Sequence, residues 1–329
     1  FFNKVSKKNG KPLGAIKDLE KEQKALKGKE ALSTEEQARL QEIPSLIEAE
    51  KKKIFKPIIG CECYCARNGR HNKTAKEDRS GYHLIILAKN LKGYKNLIKM
   101  VSISWTEGFY GRPRIDHELL EKYHEDLIVC SACLGGEIPQ HIMHDRIDKA
   151  EESILWFKKL FGEDYYLEMQ RHETHDPNAD CTTYPKQQEV NKVLIELARK
   201  HNVKLIATND VHFVNQEDAE AHDRLICLST GKDLDDPTRM RYSKQEWMKT
   251  TAEMNAIFSD VPEALSNTLE IADKVDFYSI DSGPIMPTFA IPEDFGTEES
   301  YREKFSEQDL FEEFTRDENG NVVLSEEDA

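Results

Sequence analysis

From Pro57 onward one pattern repeats: a short apolar run, then a stretch of helical periodicity. The apolar runs are Pro57–Cys65, His83–Ala88, Leu127–Cys133, Tyr165–Gln170 and Lys204–Asn209. Between them lie amphipathic stretches near Tyr94–Thr106, Asp116–His124, Ile147–Leu160 and Pro185–Asn202. Strands that alternate with helices imply βαβ units, a parallel sheet and right-handed crossovers. The runs Leu84–Leu87 and Leu205–Ala207 are apolar at successive positions, as strands covered on both faces should be. An open sheet and a closed barrel both satisfy this pattern.

The flanking segments differ in composition. Residues 12–53 read as a charged helical insertion, with Ile16, Leu19 and Leu26 at helical spacing among Lys and Glu. Ser33-Thr34-Glu35-Glu36 is a capping box that opens a second helix, and Pro44 should kink or end it. This hairpin fits a partner-binding element or a solvated insertion. Beyond about residue 216 the chain turns mainly helical: Gln216–Ser229 ends before Gly231, a C-cap, and Thr250 to Glu253 form another capping box. Residues 281–329, with Pro284, Pro287, Pro292 and many acids, read as an extended linker, and Asn319-Gly320-Asn321 as a turn.

Charge and cysteine usage narrow the function classes. With 46 basic against 61 acidic side chains the net charge is −15, so the bulk surface repels phosphate backbones. Seven cysteines scattered through a chain of 329 residues are the usage of a reducing compartment, hence an expected cytoplasmic location without disulfides. No apolar stretch is long enough to cross a bilayer, so no membrane partner is expected. The start at Phe1-Phe2-Asn3-Lys4 shows no leader and points to a longer parent chain.

Five positions carry candidate chemistry. Asp210 and His212 are two apart after the last apolar run; on an extended segment they would face one metal ion, though ordinary loop hydrogen bonding fits as well. Glu62 alternates with Cys61, Cys63 and Cys65, so a strand here puts the carboxylate and Tyr64 on one face and the thiols on the other. A carboxylate among apolar neighbours needs a partner or a metal. The thiols lack a matching Cys-x-x-Cys and read as small apolar packing. His83, at the start of its run rather than the end, fits a core histidine or a ligand. Cys133 ends a run before Leu134-Gly135-Gly136, where a metal-binding thiolate and an inert buried thiol fit equally. His172, His175 and His222 read as surface or supporting residues.

Several motifs together resemble the PHP (polymerase and histidinol phosphatase) domain of bacterial DNA polymerase III alpha subunits. They are Lys56–Glu62, Gly81–Leu84, Gly93–Leu97, Glu107–Tyr110, Pro113–Asp116, Ser131–Pro139 and Ala207–Phe213, in that order. The charged insertion is similar to that of versions from Bacteroides-type bacteria. The resemblance implies an α/β fold, a PHP-type distorted (β/α)7 barrel over residues 1–280, with 281–329 leading towards a polymerase palm that this chain lacks. It places Glu62, His83, Cys133, Asp210 and His212 on metal-ligand positions, for zinc or manganese, with magnesium at the absent polymerase site. It implies a parent that synthesises DNA, working with DNA, a proofreading exonuclease and a sliding clamp. The PHP region would contribute 3′–5′ exonuclease or phosphoesterase chemistry, or act as an inert scaffold for a replisome subunit. The family's His-x-His strand and Thr-Asp-His-Gly loop would precede Phe1, which implies a barrel without its first strands and a chain inactive by itself.

Overall fold

The computed structural model describes residues 2–29, 31–281, 283, 284, 286, 287 and 296–325, so Phe1 and Pro292 lie outside the described residues. The chain divides into two compact units, residues 1–280 and 281–329.

The larger unit opens with a helical hairpin, α1 (Phe2–Lys27) and α2 (Thr34–Lys51). Ser33 caps α2 as its sequence requires: Ser33 Oγ accepts from the Glu36 N–H while the Glu36 carboxylate accepts from the Ser33 N–H. Of the two outcomes expected at Pro44, an end to the helix is not found: α2 continues to Lys51. Ile43 on α2 is fully buried, and Ser45 Oγ donates to the Glu42 carbonyl in the turn that proline interrupts. Tertiary packing here outweighs one missing helical hydrogen bond.

Six strands follow: β1 (Gly60–Cys65), β2 (Tyr82–Ala88), β3 (Arg114–Ile115), β4 (Leu127–Cys130), β5 (Tyr165–Met169) and β6 (Lys204–Ala207). Their order in the sheet is β3-β1-β2-β4-β5-β6, and among the described residues the sheet is open. It is α/β and PHP-like but mixed, not wholly parallel. β2 runs antiparallel to both neighbours, with Tyr64 opposite His83 and Ile85 opposite Cys130. The physical reason is the β1–β2 connection. Residues 66–81 contain one short 3₁₀ turn and no α-helix, so nothing carries the chain back for a parallel crossover.

The helices of this unit after the hairpin are α3 (Leu91–Thr106), α4 (His117–Tyr123), α5 (Glu137–Met143), α6 (Ile147–Phe161), α7 (Thr183–His201), α8 (Ala219–Thr230), α9 (Thr251–Ile257) and α10 (Pro262–Lys274). Leu127 and Val129 of β4 join a core built with Met100, Ile154, Phe157 and Leu194, whereas Ile128 and Cys130 pack with Ile271 and Val275. Both faces of β4 and β5 are therefore buried. β1 is covered on one face: Cys63 and Cys65 enter the core as small apolar side chains, and Glu62 stays exposed on the other. Each fully buried large apolar side chain contributes roughly 1.5–3 kcal/mol.

The second unit is not simply extended. It forms α11 (Glu298–Lys304) and α12 (Glu307–Thr315), the latter capped by Ser306 and Asp309. Asp317 then accepts the backbone N–H of Asn319 and Asn321 in a turn with Gly320 at φ 79°.

Candidate metal centre

Antiparallel β2 places its first residues at the sheet edge where β1, β4, β5 and β6 end. His83 at the start of its strand therefore shares a rim with strand ends, which is why its position looked discordant for a parallel sheet. Glu62 Oε1 lies 2.8 Å from His83 Nδ1. The third donor comes from the turn after β4, which ends at Cys130 rather than Cys133. Ala132 takes φ 63° and the chain reverses, bringing Cys133 Sγ to 3.4 Å from the same ring nitrogen.

Two glycines make this approach feasible. The His83 N–H donates to the Gly135 carbonyl at 2.9 Å, and a Cβ on Gly135 would stand 3.0 Å from the imidazole. A Cβ on Gly136 would stand 2.0 Å from the Ser131 carbonyl oxygen. The imidazole is thus held between a thiol and a carboxylate. Hydrogen bonding to Cys133, then to Glu62, pushes its pKa up to about 10 despite burial. The same contact with His83 holds Glu62 below the usual carboxylate range.

One donor atom each from Glu62, His83 and Cys133 lies within 4.8 Å of the others, the one such group among the described residues. Asp210 and His212 stand outside this trio but border the same cavity, of about 840 Å³. They do not get there by strand alternation. β6 ends at Ala207, and Asp210 adopts φ 43°, so the segment is turned rather than extended. His212 Nδ1 lies 2.7 Å from the Asp210 carbonyl, and its Nε2 lies 3.2 Å from the Tyr242 hydroxyl. Burial raises the Asp210 carboxyl above its ordinary value, with Glu62 adding to the rise and His212 opposing it.

The walls, and residues hydrogen-bonded to them such as Glu168, include side chains that strand patterns alone do not reveal. Glu168 in β5 is buried, accepts from Thr208 and Gln170, and is pushed up to about 7 chiefly by burial. His172 is no surface residue: its ring is enclosed, takes a bond from Gln187 Nε2 at 3.1 Å and meets the Asn209 carbonyl at 3.2 Å. Glu246, also buried, accepts from Ser243 with one oxygen and leaves the other unpartnered. His175 is exposed, and His222 stacks obliquely 5.7 Å from the His212 ring. Only the spacing of charges in 239–249 could have drawn attention to Tyr242 and Glu246, and it has no distinguishing period.

A divalent cation suits this donor set. Carboxylate oxygen, imidazole nitrogen and thiolate sulfur are all ligands of zinc, and their mutual spacing matches donors at roughly 2.0–2.3 Å from one ion. Glu62 and Asp210 also raise the Glu168 carboxyl, a build-up of negative charge that a cation relieves.

Sheet, rim and donors together define an α/β domain with a candidate divalent-metal centre on the strand-end side. Residues 13–172 match the PHP domain family. The chain carries a PHP domain, of the type found in DNA polymerase III alpha subunits. It is 47% identical over 265 residues to the DNA polymerase III subunit alpha of Borreliella burgdorferi, covering 79% of this chain and 22% of the relative. It is 40% identical to that of Thermus aquaticus (72% of this chain, 19% of the relative) and 37% identical to that of Aquifex aeolicus (88% and 26%). The chain thus spans roughly a fifth to a quarter of the length of these relatives. No helix among the described residues is long and apolar enough to cross a membrane.

Proposed function

We propose that this chain is the PHP region of a DNA-synthesising polymerase, and that its cavity binds divalent zinc or manganese through Glu62, His83 and Cys133, with Asp210 and His212 as further ligands. The observation that carries this reading is the approach of three chemically different donors to within 4.8 Å at the rim of a cavity. A bound metal supplies a hydroxide nucleophile and neutralises charge on a phosphoryl group. The chain's own residues prepare the place. Glu62 and Asp210 supply negative charge, Gly135 fixes the imidazole, and Tyr242 orients His212. The chemistry this suits is phosphoester hydrolysis, as in a 3′–5′ exonuclease. In the whole protein, DNA and replisome subunits such as a proofreading exonuclease or a sliding clamp are the partners this reading implies.

The test is metal content by mass spectrometry of the purified protein, alongside hydrolysis of an end-labelled single-stranded oligonucleotide. Bound zinc or manganese, lost together with hydrolysis in Glu62→Gln/Cys133→Ser, supports the reading. A protein that takes up neither metal sinks it.

One observation favours a second reading, an inert scaffold. Without a cation, the His83 proton already satisfies both Cys133 and Glu62, so the trio is self-sufficient. Under that reading the same double variant lowers thermal stability while hydrolysis is at background in both proteins.

A further inference from the structure

The cavity holds two cationic side chains that neither strand patterning nor the family's ligand positions single out, Arg112 and Arg241. Both border the space that Glu62, His83 and Cys133 face, and both are exposed. Carboxylates of Asp180, Asp210 and Glu246 line the same space, yet among the described residues neither guanidinium forms an ion pair with any of them. In a chain of net charge −15 the cavity therefore keeps its two signs apart: carboxylates at the donor trio and in the walls, and guanidinium groups with free hydrogen-bonding edges.

The backbone beneath each arginine is anchored. Arg239, two residues before Arg241, makes a paired contact with Asp223 at 2.6 and 2.8 Å. Tyr242, next in sequence, accepts the Asp180 N–H through its carbonyl at 2.9 Å and touches His212 through its hydroxyl. On the other wall Arg114, two residues after Arg112, is fully buried and donates to the carbonyls of Gly108, Asn72, Asp78 and Arg70. Arg112 itself reaches over the Tyr64 ring, 5.7 Å from its centroid, and Tyr64 shares its strand face with Glu62. Each arginine thus presents unbonded guanidinium N–H groups from a stretch of backbone held by its neighbours, an arrangement that limits the entropy lost on binding.

Planar guanidinium groups match the paired oxygens of a phosphoryl group, and two of them lining one cavity with a candidate cation site suit a phosphate anion held there. We propose that Arg112 and Arg241 form a clamp that positions the phosphoryl group of a nucleotide against the Glu62–His83–Cys133 donors. They act as positioning residues for the substrate of the site proposed above, and the proposal rests on that reading. The aromatic rings of Tyr64 and Tyr242 stand beside the clamp, where a sugar or base attached to the phosphate would lie.

The experiment is calorimetric titration with thymidine 5′-monophosphate, the dinucleotide thymidylyl-thymidine and thymidine. The proteins are the wild type, Arg112→Gln, Arg241→Gln and Arg241→Lys, with metal content measured on every sample. The expected result is that each glutamine variant weakens one or both phosphate-bearing probes about 10-fold or more. Thymidine is unaffected, metal content is unchanged, and Arg241→Lys recovers part of the loss. Whichever probe responds more identifies a terminal or an internal phosphate as the group held. Undiminished binding of both phosphate probes in both glutamine variants overturns the clamp, as does an equal loss for thymidine or no binding by the wild type. If arginine-dependent phosphate binding appears in a protein that takes up no metal, the metal reading fails while the clamp stands.

Discussion

Glu62 and His83 are diagonal neighbours on one face of the β1–β2 ladder: Glu62 pairs with Ile85, His83 with Tyr64, and the carboxylate crosses the diagonal to lie 2.8 Å from the imidazole. Diagonal pairs of this kind are within reach of long side chains on a twisted antiparallel pair. Cys133 then needs only to be delivered from the next strand end. Replacing Glu62 or Cys133 with a near-isostere that cannot carry the negative charge should therefore cost cation affinity and leave the sheet intact. For Glu62→Gln and Cys133→Ser singly, zinc affinity measured by chelator competition should fall by at least roughly the 10–100-fold that supporting residues of metal sites command. Circular dichroism should be unchanged. Wild-type affinity in both variants would remove these residues from the site.

The two glycines of the Cys133 turn should respond differently to a single methyl. At Gly135 the added Cβ meets the imidazole at 3.0 Å, and a ring can tilt by a few tenths of an ångström. At Gly136 it meets a backbone carbonyl at 2.0 Å, which cannot yield without moving Ser131. Gly135→Ala should fold with stability within about 1–2 kcal/mol of wild type but bind metal weakly. Gly136→Ala should lose several times that stability. Denaturant titrations of both, with metal binding on the folded variant, check the contrast, and the reverse ranking would contradict it.

Burial sets a pH dependence through Glu168. Its folded pKa, about 7, is above its ordinary 4.5, so the unfolded chain loses this proton first as pH rises. The sign follows: no penalty exists below about pH 4.5, and stability is lost progressively as pH rises towards 7. Glu168→Gln keeps an oxygen to accept from Thr208 and Gln170 while removing the ionisation. In metal-free protein the variant should be more stable than wild type at pH 8, by on the order of 1–3 kcal/mol, with the difference vanishing near pH 5. Urea melts at the two values measure it. A variant less stable at pH 8 would show that Glu168 is ionised and stabilised in the fold.

What the sequence made legible follows from which interactions are local. β2 and β6 stand out as apolar runs, and the Ser33 and Thr250 caps are visible because a capping box closes within four residues. The direction of β2 is not legible from strand alternation, which says nothing of direction; only the absence of a helix between Cys65 and Tyr82 carries that information. The two-residue β3 is too short to show a period. Glu62, His83 and Cys133 could be singled out one at a time, but their convergence depends on a left-handed residue, Ala132, that propensity does not favour. His172, Tyr242 and Glu246 come from loops tied together by Asn209, whose amide donates to the carbonyls of Gln245 and Trp247. Contacts at such separation have no sequence period to read.

Arg114 supplies the last expectation, because its burial is complete and its bonding is entirely to carbonyls. Its guanidinium donates to Gly108, Asn72, Asp78 and Arg70, so four separate backbone points converge on one side chain. Lysine in its place has three donors on a flexible stem and cannot match a planar fork, so at least one carbonyl and part of the charge lose their partner. Leaving a buried polar group unsatisfied costs about 1–3 kcal/mol, and a buried charge with incomplete bonding more. Arg114→Lys should therefore lower folding stability by roughly 2–4 kcal/mol. The loss should concentrate locally, since those carbonyls lie on the loops that position Arg70 and Arg112. Hydrogen exchange should show earlier opening of residues 66–81 and 107–113 than of β5 and β6. Uniform acceleration across the whole sheet, or a stability equal to wild type, would show that Arg114 is not the clasp of these loops.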